Sequence, residues 1–200
     1  WSEPDNIFRT FSNQWQPSDL SMHMGKTGRV HVVWNVTDRR GNNVSGYYTN
    51  ADVGLWSWLE PVELDTNREL GIAIPNVIEH SNAVWIIYNN GIWDQIAPVQ
   101  WTRISYDGGL TWSNPIRPFE RHIGRNGTIA LAVDSREQLH VMFGQRYFKE
   151  GENVATHGMW YSVRRDENWA SLSPVVEGRS ELDEASEVGF DPYDARAVIS

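Results

Sequence analysis

The sequence predicts an all-β chain: a β-propeller segment of three complete four-stranded blades, with one strand of a flanking blade at each end. Three observations predict it. A tryptophan phrase returns as Trp1-Ser-Glu-Pro4, Trp56-Ser-Trp-Leu-Glu-Pro61, Trp112-Ser-Asn-Pro115 and Trp169-Ala-Ser-Leu-Ser-Pro174, in steps of 55, 56 and 57 residues. Four extended segments recur in the same order inside each period. The second of these keeps tight register, with Val30-His-Val-Val-Trp34, Val84-Trp-Ile-Ile-Tyr88 and Leu139-His-Val-Met-Phe143 spaced 54 and then 55 residues apart. A repeat of this length, made of short strands, cannot bury its apolar faces alone and stacks on its neighbours.

Residues 1–14 read as the end of an earlier blade, with its last strand running from Trp1 to about Phe11. The first whole blade covers about 19–64: an inner strand Asp19–Met24, a turn at Lys26-Thr-Gly28, the strands Val30–Trp34 and Gly46–Thr49, and an outer strand Pro61–Leu64. The second covers about 73–118, with Ala73–Ile78, a turn at Glu79-His-Ser-Asn82, Val84–Tyr88, Val99–Ile104 and an outer strand from Pro115. The third covers about 128–177, with Thr128–Val133, a turn at Ser135-Arg-Glu-Gln138, Leu139–Phe143, Gly158–Val163 and Pro174–Val176. Polar and glycine-bearing turns separate each pair, as hairpins require. Residues 192–200 match an inner strand again, Asp194–Ser200 against Ile129–Ser135. Propellers close with about four to eight blades, so three leave open sheet faces. The remaining blades are expected from a longer parent chain or another subunit, and the opening on Trp1 rather than Met reads as a natural N-terminus that has been removed.

Composition narrows the partners. Seventeen basic against 26 acidic residues give a net charge of −9, which disfavours nucleic acid or an anionic membrane surface. No apolar run is long enough to span a bilayer, so no membrane insertion is expected. The absence of cysteine removes disulfides and thiolate metal sites, and no residue spacing suggests a metal or a cofactor. Eleven tryptophans are more than blade packing needs, leaving some for sugar-binding surfaces.

One period carries a full upstream phrase, Ser105-Tyr-Asp107-Gly-Gly109-Leu-Thr111-Trp112. Ser105 and Asp107 can bind the turn backbone, Gly109 can take a positive φ, and Trp112 can pack between blades. The other copies are degenerate: Asn50-Ala-Asp52-Val-Gly54-Leu-Trp56 is one residue short, and Ser162-Val-Arg-Arg-Asp166-Glu-Asn-Trp169 lacks the glycine. The full copy resembles the Asp-box, Ser-x-Asp-x-Gly-x-Thr-Trp, of the sialidase-like superfamily, also called BNR repeats. The resemblance implies a propeller derived from a glycoside hydrolase acting on sialylated or other glycans, in a secreted or cell-surface setting. It also implies that Ser105, Asp107, Gly109, Thr111 and Trp112 are structural and lie away from the ligand. Sialidases use an arginine triad, a tyrosine nucleophile paired with glutamate, and an aspartate acid/base. The early Arg-Ile-Pro motif of that family is absent here, and Phe8-Arg-Thr-Phe11 falls in an outer-strand position, so no catalytic residue carries over. A non-catalytic glycan- or protein-binding propeller, or an inactive fragment needing further blades, are the alternatives.

A propeller's ligand face is made by the loops joining second to third strands and by those between blades. Here these loops hold the ligand-binding candidates Trp15, Arg39, Arg40, Trp93, Asp94, Arg121, Arg125, Arg146 and Tyr147. Arginine offers a planar fork for a carboxylate, and an exposed aromatic offers a flat face for a sugar ring. The expected ligand is therefore a glycan or another polyhydroxylated or anionic small molecule. His31 and His140 share one repeat position in the second strand, which argues for packing rather than acid–base chemistry.

Overall fold

A computed structural model describes residues 6–10, 12–55, 57–65, 71–90, 100–119, 124–148 and 154–181. Among the described residues there is no helix, and thirteen strands follow one another: β1 (Trp15–Met24), β2 (Arg29–Asp38), β3 (Asn43–Asp52), β4 (Ser57–Trp58), β5 (Val62–Glu63), β6 (Ile72–His80), β7 (Ala83–Asn90), β8 (Gln100–Ser105), β9 (Gly124–Val133), β10 (Leu139–Phe148), β11 (Val154–Arg165), β12 (Asn168–Trp169) and β13 (Ser173–Glu181). They form three antiparallel sheets in simple chain order. β1-β2-β3 carries β4 and β5 at its outer edge, β6-β7-β8 stands alone, and β9-β10-β11 carries β12 and β13. Their order is consistent with the blades expected from the repeat.

Two differences from the expected boundaries have physical causes. In the second blade the outer strand is reduced to one bridge, where Thr102 and Ile116 exchange backbone hydrogen bonds of 2.8 and 2.9 Å. Pro115 and Pro118 flank that position, and proline removes the ladder donors a longer strand would need. In the third blade β10 and β11 pair without interruption from Leu139↔Arg164 to Phe148↔Ala155, so residues read as loop are strand. Residues 6–10 form no strand, yet Phe8 lies against Trp34 and Tyr47 with ring centroids 5.1 and 4.7 Å apart. The strand expected at 192–200 lies outside the described residues.

The middle strands read as continuous apolar runs because both faces of each sheet are covered. Every residue from Val30 to Thr37 of β2 is buried. Alternate residues then serve opposite neighbours. Val33 and Tyr48 of the first blade meet Leu64, Ile72, Val77, Val84, Ile86 and Tyr88, with Trp101 and Trp112 against them. Ile87 and Phe119 meet Ile129, Val141, Phe143 and Trp160 of the third blade, with Trp169 against that cluster. Each fully buried aliphatic or aromatic side chain contributes about 1.5–3 kcal/mol, so these two interfaces hold the blades together. Close approach is built in: a Cβ on Gly46 would lie 2.7 Å from Ile72 Cδ1. On the other face of the first blade, Phe8, Trp15, Val53 and Trp58 cover Val30, Val32, Trp34, Val36 and Tyr47. Leu20, Met22 and Met24 of β1 stay 63–69% exposed beside them.

The Ser105–Trp112 turn is organised as its residue types demand. Ser105 Oγ accepts from Gly109 N at 2.7 Å, while Asp107 Oδ1 accepts from Thr111 N at 2.9 Å and Leu110 N at 3.1 Å. Thr111 Oγ1 donates to Asp107 Oδ2 at 2.5 Å. Led by the Thr111 hydroxyl, these donors hold the Asp107 carboxyl down to about 2. Gly109 sits at φ +97°, and Trp112 meets Tyr48 of the preceding blade edge to face at 4.9 Å. Asn50 Nδ2 donates to Gly108 O at 3.0 Å, so the turn of the second blade clasps the first.

Candidate functional site

The inner strands β1, β6 and β9 lie side by side, and each carries a β-bulge in its upper half, toward the end that holds the β2–β3 turn. Asp19 and Leu20 together oppose Trp34, Ile74 and Pro75 oppose Tyr88, and Gly127 and Thr128 oppose Gly144. Asp19 and Ile74 take φ of 32° and 47°, conformations that L residues avoid. A bulge turns successive side chains out of the pleat and recurs beside active sites. Sequence reading missed these bulges; Pro75 inside an apolar strand was the one signal available. Asp19 is exposed at its bulge, which makes it a further candidate.

Those of the proposed ligand-face residues that are described separate into three groups. Arg39 and Arg40 are exposed in the β2–β3 turn, which Asp38 organises by accepting from Arg40 N at 2.8 Å and Asn42 N at 2.9 Å. Asn42, through side chain and backbone, holds the Asp38 carboxyl below its ordinary range. Arg39 Nη2 reaches Asn13 O at 3.5 Å, tying the turn to the entry of β1. Trp15 opens β1 rather than standing in a loop, and it is partly buried against the Val30–Trp34 cluster. Arg125, Arg146 and Tyr147 are strand residues of β9 and β10: Arg125 is the register partner of Arg146, and Gly124 of Tyr147. Arg146 is also paired with His157 of β11, so Arg125, Arg146 and His157 form one cross-strand row at the upper end of the third blade. Trp93, Asp94 and Arg121 lie outside the described residues. Arg117, another arginine of the same loops, stacks over the Trp101 ring at 5.0 Å.

Lower down, polar groups between the blades are committed to each other. His31 Nδ1 lies 2.6 Å from Tyr48 Oη, and Nε2 lies 3.2 Å from Glu79 Oε2. A carboxylate must accept, so Nε2 carries the proton and Nδ1 accepts from the Tyr48 hydroxyl. Burial lowers the His31 pKa against the pull of Glu79, and burial raises that of Tyr48. His140 repeats the pattern with Tyr161 at 2.7 Å and Asp134 at 3.3 Å. Near the top of the first interface, Arg103 Nη1 donates to Ser113 O at 2.9 Å and its Nη2 lies 4.0 Å from Asp65 Oδ1. Burial there pushes Tyr88 up to about 12. Among the described residues no three His, Asp or Glu side chains converge as a metal site.

Three stacked antiparallel sheets with inner strands side by side and outer strands at the rim define the β-propeller class. No family model and no curated protein matches the chain. Solved propellers do. A Dyadobacter fermentans protein of unknown function matches with TM-score 0.60 and 13% identity, over 85% of this chain and 57% of that one. The Penicillium chrysogenum α-L-arabinanase, solved with arabinobiose, matches with TM-score 0.55 and 13% identity, over 83% of this chain and 49% of that one. A Hadza microbial sialidase matches with TM-score 0.58 and 14% identity, over 83% of this chain and 38% of that one. The likeness shows a fold shared with glycoside-hydrolase propellers. The chain spans about half the length of the first two of these structures.

Proposed function

We propose that this chain is part of a sialidase-like, Asp-box propeller of glycoside-hydrolase descent that binds a glycan at the upper end of its blades. The observation that supports the reading is the row Arg125, Arg146 and His157. Arg125 and Arg146 stand directly opposite on paired strands, where like charges are destabilising, and an anionic group such as a sugar carboxylate relieves them. The arabinanase and sialidase likenesses support a sugar as the carrier of that group. Asp19 is the one carboxylate in the upper half of β1, β6 and β9, while Glu79 sits at the lower end of β6. We read the chain by itself as binding without turnover, since none of the sialidase catalytic set (arginine triad, tyrosine–glutamate pair, aspartate acid/base) carries over to matched positions.

Calorimetry with the methyl glycoside of N-acetylneuraminic acid, set against xylotriose, tests the binding. Preference for the acidic sugar, lost in Arg146→Ala at unchanged Tm, is the expected result. No response to the acidic sugar, or a response to it that Arg146→Ala leaves unaffected, refutes the anionic site. A fluorogenic sialoside is expected to release nothing with residues 1–200; measurable release would overturn the inactive-segment reading. The second reading, a non-catalytic binding propeller, is favoured by Asp19 being the one carboxylate in the upper half of β1, β6 and β9, and it predicts sugar binding with no turnover.

A further inference from the structure

Five of the seven non-glycine residues with positive φ among the described residues fall in three turns, and four of them line one cleft: Ser81 (50°), Glu137 (59°), Asp166 (45°) and Glu167 (71°), with Asn82 (60°) beside Ser81. They belong to the β6–β7, β9–β10 and β11–β12 turns, at the lower ends of the second and third blades. Two-residue turns with both φ positive normally hold Asn-Gly or Gly-Gly. Here Ser-Asn and Asp-Glu stand instead, each residue carrying strain that a glycine would remove. Strain of this kind concentrates where a surface is shaped for a ligand.

A cleft of about 420 Å³ opens between these turns, lined by His80, Trp85, Tyr106, Arg136, Arg165 and Asp166 among others. Small-molecule sites measure about 300–1,000 Å³. The walls are set by fixed contacts. His80 Nε2 lies 2.8 Å from Glu137 O, a carbonyl that can only accept, so Nε2 carries the ring proton of the neutral imidazole. Its Nδ1 is then an acceptor, and it is buried without a partner in a side chain only 4% exposed. Trp85, also 4% exposed, has its Nε1 donor buried without a partner. Arg164 lies over the Trp85 ring at 4.6 Å, and Tyr106 is 77% exposed at the rim.

We propose that this cleft, on the side opposite the upper rim, binds a neutral saccharide unit. A hydroxyl both donates and accepts, which is what an unpaired imidazole acceptor and an unpaired indole donor together require. The lining holds Arg136, Arg164 and Arg165 together with Glu137, Asp166 and Glu167, so it is charge-balanced and offers an anionic ligand no net attraction. Tyr106 supplies an aromatic surface for a sugar ring, and side-chain amphipathicity of that kind suits one wet and one apolar edge. The site stands on its own geometry and does not depend on the upper-rim reading.

The test is a ¹H–¹⁵N NMR titration of residues 1–200 with xylotriose and, separately, with the methyl glycoside of N-acetylneuraminic acid, each at millimolar concentration. Xylotriose is expected to move the Trp85 indole signal and the backbone amides of Ser81, Asn82, Asp166 and Glu167 together, leaving Gly41 and Asn42 of the upper β2–β3 turn unmoved. Tyr106→Ala changes an exposed side chain, so Tm is retained while affinity falls about tenfold, equivalent to 1.4 kcal/mol. Arg165→Ala is the second variant and is expected to weaken binding likewise. No movement of the lower-turn signals overturns the site, as does a larger response there to the acidic sugar. Unchanged affinity in both variants overturns it too. Shifts confined to the upper rim would uphold the upper reading and sink this one.

Discussion

Replacing Gly109 with alanine isolates the clasp between the first two blades. The new Cβ would lie 2.1 Å from Tyr48 Cε1, 2.5 Å from Cζ and 2.6 Å from Oη. Carbon atoms in contact settle at about 3.5–4.0 Å, so the ring must retreat by more than an ångström. It has nowhere to go: Tyr48 is 1% exposed, its hydroxyl is held by His31, and its ring is set against Trp112. Overpacking of a tight core costs about 1–3 kcal/mol. An L residue at φ +97° adds about 1–2 kcal/mol. The sum, about 2–5 kcal/mol, corresponds in a chain of this size to a Tm lowered by about 5–15 °C. Gly28→Ala is the control, since Gly28 sits at φ +80° with nothing within 4 Å of its Cβ position. Thermal melts followed by tryptophan fluorescence measure both. The difference between them is the ring contact alone, and the Tyr48→Ala background should remove it. Two variants equal within about 0.5 kcal/mol would refute the clasp, because only backbone strain would then be at work.

Other outcomes follow from the titrating groups. Burial lowers the folded-state pKa of His31 below 6.5, so the unfolded chain takes up its proton first as the solution is acidified. Stability is therefore full above pH 6.5 and declines as pH falls from there toward the folded-state value; urea midpoints against pH should show this, with a shallower slope in His31→Gln. Asp107 has the carboxylate sign: its folded pKa is depressed, so its contribution is present above 3.8 and is lost as pH falls toward about 2. Asp107→Asn should lower the urea midpoint at neutral pH and flatten the acid limb below pH 3.8.

The periodic core was legible because it depends on spacing alone. Val33, Ile87 and Met142 occupy matching places in β2, β7 and β10, as the 54- and 55-residue steps require. The Ser105–Trp112 turn was legible because each hydrogen bond there is made by a residue within eight positions of its partner. The candidate sites were harder. Arg146 and Tyr147 follow Gly144-Gln145, polar residues that read as loop, yet β10 continues through them because β11 supplies a partner at every step. Trp15 was ambiguous for another reason: an aromatic near a blade boundary serves packing or binding equally well until its neighbours are known, and Trp15 meets the Trp34 cluster. The lower cleft had no sequence signal at all. Ser81-Asn82 and Asp166-Glu167 adopt left-handed turns without the glycine that usually announces them.

The clasp of Gly108 and Trp112 on Tyr48 and Asn50 points backward along the chain. The first blade is thus secured by residues that a ribosome makes about sixty positions later. During synthesis it waits, one sheet face bare, until the second blade's outer turn has emerged; the second blade waits in the same way for Trp169, which lies 5.4 Å from Phe119. Damage travels in that direction as well. A defect in the Ser105–Trp112 turn should loosen β3 before β11, so amide exchange would quicken in the blade already built rather than in the one to come.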